Sequence, residues 1–281
     1  MARIRRRSIE FRAIALDTPS LRATPLEGNN ILASVVLKRR FLGMTIGIGI
    51  ICRDGIVMAS DSRTEDEESG AKRFDMAKIV VVSEGPIKCV ISRAGATTLS
   101  GAAIRLLKEK LSKTETKSRH EILALIQQSV GEVRAGFKIA NPNADYFSPF
   151  GRFSLLIAIH DATPALYVIK SHEYWAGEEL PSPAYVGSGE GLAHYILGGV
   201  DYSSVSMEEA TYAATYAVEV AKMKHSQCEG PTRAAFITKD FAILPQQNEL
   251  DKVALECANF EKQNDTEWIA KLTDWVRTKR I

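Results

Sequence analysis

The sequence predicts an α+β fold, a four-layer sandwich in which two antiparallel sheets lie between layers of helix. Two observations carry this. Short runs rich in β-branched residues come in consecutive pairs joined by turn residues, which makes hairpins rather than parallel crossovers. The runs also come in blocks (strands, two helices, strands, then helices), and that order argues against a doubly wound parallel sheet. With 45% apolar and 25% charged residues, the 281-residue chain can bury one large core. No repeat of about 20–50 residues is visible.

Residues 1–44 lack sustained periodicity and carry Arg5-Arg6-Arg7 and Lys38-Arg39-Arg40. Three readings compete for this leader. It is a retained targeting arm, a cleaved propeptide, or an upstream stretch that is not translated because synthesis starts at Met44. A start methionine before a small residue is normally removed, which would expose Thr45 as the amino terminus. The globular domain is expected over 45–245, with 246–281 as its helical extension.

Residues 44–63 read as two strands folded at Asp54-Gly55, because glycine takes φ > 0 and aspartate tolerates it. Thr45 and Asp61-Ser62-Arg63 then fall at the same end of the hairpin. Thr64 to Phe74 is charged and reads as an exposed loop. Lys78 to Val82 and Ile87 to Ser92 flank Glu84-Gly85-Pro86 as a second hairpin. After Ala94-Gly95-Ala96 a helix begins near Thr97, with Leu99, Ala103, Leu106 and Leu107 on one face. Ser118 and Glu121 are spaced as a capping box for a second helix, whose stripe is Ile122, Ile126, Val130 and Val133.

Phe153 to His160 and Ala165 to Ser171 form a third hairpin around Asp161 to Pro164. Tyr185-Val186-Gly187-Ser188-Gly189 closes a strand in a Gly-rich turn, without the spacing of a dinucleotide fingerprint. Ser206 and Glu209 form another capping box, ahead of Ala210, Ala214, Ala217 and Ala221. Thr232 to Thr238 and Phe241 to Leu244 are strands around Lys239-Asp240. In the tail from Glu249, Trp268, Ile269, Leu272, Trp275 and Val276 share one helical face.

Composition excludes several functions. No apolar run approaches a membrane span and no secretory leader is present, so a cytoplasmic protein without membrane contact is expected. Cys52, Cys89, Cys228 and Cys257 are far apart and read as buried thiols. The five histidines show no metal-ligand spacing, so no metal is expected. Residues 1–43 hold nine Lys or Arg against three Asp or Glu, and the remainder 27 against 31. That mildly acidic body gives no electrostatic reason to bind nucleic acid.

Threonine is a poor nucleophile without an adjacent base, and one solution is the α-amine of a threonine that is itself the first residue. Its unperturbed pKa is near 8, so it is partly neutral at physiological pH. A lysine ammonium such as that of Lys78 would lower both the amine and the hydroxyl pKa. Asp61 would keep Lys78 charged and oriented, and a backbone N–H at Gly95 could hold a developing oxyanion. Singly, each residue has an ordinary explanation: a strand-end turn, a solvated lysine, a helix-entry glycine, a turn hydroxyl at Ser188.

As an ordered set, Thr45, the 49–55 run, Ala59 to Arg63, Lys78-Ile79, Ala94-Gly95 and Tyr185 to Gly189 resemble the β-type subunits of the proteasome family, which are N-terminal-nucleophile hydrolases. The resemblance implies the αββα sandwich and a peptidase assembled as a homo-oligomeric ring with inward-facing sites. It implies Thr45 as nucleophile with its own amine as base, Asp61 and Lys78 as the charge pair, Gly95 as oxyanion donor and Ser188 as the hydroxyl near the amine. Arg63 would support Asp61. Arg93 would shape the pocket for the residue before the scissile bond, where a cation favours acidic side chains.

Where the family places an Asp and a Ser to support the amine, this chain has Ser226-Gln227-Cys228-Glu229-Gly230-Pro231, with Ser226 or Glu229 as the substitute. Family propeptides end in glycine before the threonine, whereas here Gly43 precedes Met44, which favours a start at Met44. The long helical tail resembles the bacterial ancestral-beta-subunit branch. The implied substrate is a peptide or unfolded protein, with no cofactor and with an ATP-dependent unfoldase as candidate partner. Two rivals stand beside this: a non-catalytic scaffold of the same fold with Thr45 blocked, and a binding or assembly module using the Gly187-Ser188-Gly189 turn.

Overall fold

Strands form where the β-branched runs lie and helices where the capping residues open an apolar stripe. The computed structural model describes residues 45–65, 72–73, 77–83, 87–113, 118–142, 152–172, 178–225 and 228–279. In chain order these comprise β1 (Gly47–Cys52), β2 (Gly55–Ser60), β3 (Thr64–Glu65), β4 (Lys72–Arg73), β5 (Ile79–Ser83), β6 (Lys88–Gly95), α1 (Thr97–Lys113) and α2 (Arg119–Ala140). Then come β7 (Phe153–His160), β8 (Pro164–Lys170), β9 (Glu178–Leu180), β10 (Ala184–Val186), α3 (Glu190–Leu197), α4 (Met207–Lys224), β11 (Arg233–Ile237), β12 (Ala242–Ile243) and α5 (Gln247–Lys279).

Two five-stranded sheets result, in the orders β10-β1-β2-β11-β12 and β5-β6-β7-β8-β9, with every pairing antiparallel. The α+β four-layer sandwich is as expected. The ribbon β3-β4 falls in the stretch expected to be loop, and β9 was not anticipated. Strands of two or three residues carry too little hydrophobic alternation to register in a sequence.

Period-two alternation divides the core into three layers. Ile91, Phe153, Leu155, Ile157, Tyr167 and Ile169 pack against Leu107 and Ile122 of α1 and α2. Ile46, Ile48, Ile50, Val57 and Ala59 pack against Ala193, Ala214, Ala217 and Ala221 of α3 and α4. Ile56, Met58, Val90, Leu156, Ala158, Leu166 and Val168 fill the space between the sheets. The alternate positions of β1 are Gly47 and Gly49, where a Cβ would lie 2.8 Å from the Ser92 Oγ and from a Leu166 methyl. Isoleucines therefore face the helices, while glycines let the second sheet approach.

Local chemistry holds the ends. Ser206 Oγ accepts from Glu209 N at 3.3 Å while Glu209 accepts from Ser206 N at 2.9 Å, the expected capping box. Ser118 Oγ accepts from Glu121 N at 3.3 Å. The tip of the first hairpin docks on the same end of α4, where Asp54 accepts from Met207 N at 3.0 Å. α5 lies along α4 through Tyr212 to Glu256 at 3.1 Å and Lys224 to Asp265 at 2.7 Å. The face from Trp268 to Val276 falls within α5, but its side chains lie outside the described residues. All four cysteines are free and buried. Among the described residues no helix is long and apolar enough to cross a membrane.

Candidate active site

The register of the first hairpin pairs Gly47 with Ser60, so the chain on either side, at Thr45 and at Asp61 to Arg63, emerges at one end of the sheet. Asp61 is fully buried and its carboxylate is held by three donations. Ile46 N reaches Oδ1 at 3.1 Å, and Lys78 Nζ reaches Oδ1 and Oδ2 at 2.8 and 2.9 Å. Lys78 also donates to Thr45 Oγ1 at 3.1 Å. One ammonium thus joins the threonine hydroxyl to the carboxylate that anchors the start of β1. Burial pushes the Asp61 carboxyl up and the Lys78 ammonium down, and the contact between them opposes both shifts.

The Gly-rich turn after β10 closes the other side. Thr45 N lies 3.3 Å from Ser188 Oγ, and Gly189 N donates to Thr45 O at 3.4 Å. Gly187 has φ +95°, and a Cβ there would sit 2.0 Å from Thr45 O, so only glycine permits this approach. Gly95, at the end of β6, has φ +89° and is packed so closely on β7 that a Cβ would lie 2.4 Å from Arg152 O. Thr45, Gly95 and Ser188 line a cleft of about 510 Å³. In the 281-residue chain Thr45 N is a peptide nitrogen, which carries no basic lone pair.

The remaining expected residues are placed as follows. Arg63 and Glu229 form one unit: Arg63 N donates to Glu229 O at 3.0 Å, and the buried guanidinium contacts Glu229 Oε1 at 3.1 Å. Cys228 beside them is fully buried, which pushes its thiol up to about 12. Ser226 lies outside the described residues. Arg93, expected to shape the substrate pocket, is not among the residues lining the cleft. It follows Cys89 and Ile91 in phase, so it faces the helix layer, and its guanidinium donates to Thr97 O at 3.1 Å at the start of α1. The cations that do line the cleft are Arg152 and Lys170, together with His172. Sequence reasoning missed them, although strand alternation in β7 and β8 carried the signal.

Comparison with known proteins agrees with this architecture. The sequence profile of the family described as Proteasome subunit matches residues 42–231. Among solved structures, Anbu (ancestral beta-subunit) from Yersinia bercovieri superposes with a TM-score of 0.63 at 13% identity, covering 80% of this chain and 97% of that one. The helical assembly of the Anbu complex from Pseudomonas aeruginosa gives 0.60 at 18% identity, over 84% and 97%. An Anbu (Gly-1) mutant from Hyphomicrobium sp. strain MC1 gives 0.60 at 15%, over 79% and 96%. At these identities the likeness shows the fold alone. No curated protein matches the chain. Because the profile match spans more than half of its length, this chain belongs to the proteasome subunit family.

Proposed function

We propose that this chain is a threonine-type peptidase or amidohydrolase, active once Thr45 is the first residue. The observation that carries the proposal is the single ammonium of Lys78 between Thr45 Oγ1 and Asp61. With residues 1–44 absent, the freed Thr45 amine takes the proton of its own hydroxyl as Oγ attacks an amide carbonyl. The oxyanion is held at Gly95, and the amine passes that proton to the departing nitrogen. An ester remains on Oγ. Water, giving its proton to the same amine, attacks the ester, and the returned proton restores the hydroxyl as the acid leaves. Ser188 orients the amine, while Arg63 and Glu229 brace the chain after Asp61.

By analogy with the Anbu structures, whose P. aeruginosa member forms a helical assembly, we infer an ancestral-beta-type homo-oligomer. It would work in the cytoplasm on peptides or unfolded protein, with an ATP-dependent unfoldase supplying folded substrates. The competing proposal is a non-catalytic scaffold in which the leader stays attached and Thr45 N remains a peptide nitrogen. Intact mass and labelling by a peptide epoxyketone, which needs both hydroxyl and free amine, decide between them. A chain beginning at Thr45 that labels, and fails to label as Thr45→Ala, supports the enzyme. A chain that retains the leader and does not label establishes the scaffold.

A further inference from the structure

We propose that Lys222, Glu219 and Thr232 form a buried clamp that positions Asp61 and the loop bracing it, and so serve the reaction at Thr45 without touching substrate. This role rests on the hydrolase function above. Its geometry comes from the ladder of β2 and β11. Ser60 pairs with Arg233 at the last level of that ladder. In antiparallel strands the next residues stand side by side, so Thr232 is the neighbour of Asp61 across the sheet. Both are buried, Asp61 fully and Thr232 to 1% exposure.

Two helices hold Thr232. Its hydroxyl donates to Glu219 Oε1 and accepts from Lys222 Nζ at 2.5 Å, while Lys222 donates to the same carboxylate oxygen at 2.7 Å. Glu219 and Lys222 are spaced i, i+3 on α4, so both reach the strand from a single helical face. From the other side Gln247, the first residue of α5, donates to Thr232 O at 2.9 Å and accepts from Arg233. The group between lysine and carboxylate has to donate and accept at once, which a hydroxyl does. An ion pair taken out of water repays its desolvation only when further hydrogen bonds complete it, and Thr232 supplies them.

The clamp also closes a loop. Helix α4 ends at Lys224 and the chain returns at Thr232, so the Lys222 to Thr232 contact joins residues ten positions apart. Inside it Cys228 N donates to His225 O at 3.0 Å. Glu229 receives Arg63 N on its carbonyl at 3.0 Å and the Arg63 guanidinium on its carboxylate at 3.1 Å. Asp61 is thereby fixed twice, from its neighbour across the sheet and, through Glu229 and Arg63, from the chain that follows it. Charge adds to position, because the Lys222 ammonium helps Lys78 hold the Asp61 carboxyl down against its burial. Asp61 in turn holds Lys78 on Thr45 Oγ1.

A purely structural ion pair would change melting and leave Thr45 as it is. The test separates the two. Thr232→Val keeps the side-chain shape and the Lys222 to Glu219 pair but removes the hydroxyl, and Thr232→Ser returns it. Amide hydrogen exchange of the full chain, read by mass spectrometry, follows the peptides containing Arg63 and Cys228, and epoxyketone labelling follows Thr45. Thr232→Val is expected to exchange about tenfold faster in both peptides and to label about tenfold more slowly or worse. Thr232→Ser should match the wild type within about twofold in each measurement. Urea melts confirm that both variants are folded, and should Thr232→Val fail to fold, Lys222→Gln takes its place.

Exchange unchanged in Thr232→Val, or raised and not restored by Thr232→Ser, overturns the clamp. Faster exchange with unchanged labelling overturns its role at Thr45. Exchange needs no turnover, so a wild-type chain that never labels loses the hydrolase function while the exchange measurement still decides the clamp.

Discussion

Lys78 is where chemistry and stability meet, since its ammonium is the partner of a fully buried Asp61. Removing it as Lys78→Ala would leave that carboxylate uncompensated, at a cost of about 3–5 kcal/mol. It should also slow epoxyketone labelling about a hundredfold or more. Denaturant melts and labelling rates measure the two effects separately. The pH profile adds a sign. Labelling should rise with pH as the Thr45 amine loses its proton, and fall again as Lys78 loses its own. Because burial lowers the Lys78 pKa, the falling limb should come below the pH at which an ordinary lysine titrates. The neighbours of this pair were legible in the sequence, since Thr45, Asp61, Lys78, Gly95 and Ser188 occur in a specific order. Arg93 faces the helix layer, where its guanidinium donates to Thr97 O at the start of α1.

Among the elements, α2 is fastened to the β7-β8 turn by one ion pair. Arg119 reaches both carboxylate oxygens of Asp161 and also donates to Thr163 O at 2.8 Å. The guanidinium holds the Asp161 carboxyl down to about 2, from an ordinary 3.8. A depressed carboxyl stabilises the fold above its unfolded value and loses that contribution as pH falls through the folded one. About 1–2 kcal/mol should therefore be present above pH 4 and disappear towards pH 2. In Arg119→Met the wild-type advantage should be seen at pH 6 and shrink on acidification, as read by urea midpoints. The capping residues Ser118 and Ser206 announced their helices because capping is local. Arg119 to Asp161 was not legible, because a helix start and a hairpin turn 42 residues apart meet only after the sheet has formed.

At the largest scale, the described residues from Thr45 onward form a four-layer sandwich with α5 laid against α4, where Leu250 and Cys257 are buried. Deleting Gln247–Ile281 should leave both sheets paired and cost about 3–5 kcal/mol from the lost apolar burial. Unfolding midpoint and far-ultraviolet circular dichroism of the truncated chain check this, and loss of all β signal would contradict it. The sequence by itself determined the main hairpins, the helix starts and the order of the site residues along the chain. These depend on residue conformation and on periods of two and 3.6, which are properties of neighbours along the chain. Only the tertiary structure decided that β6 lies beside β7 across two intervening helices, and that Arg152, Lys170 and His172 line the same cleft as Thr45. Pairing between distant strands is chosen by the burial of whole faces against one another, and no local spacing encodes that choice.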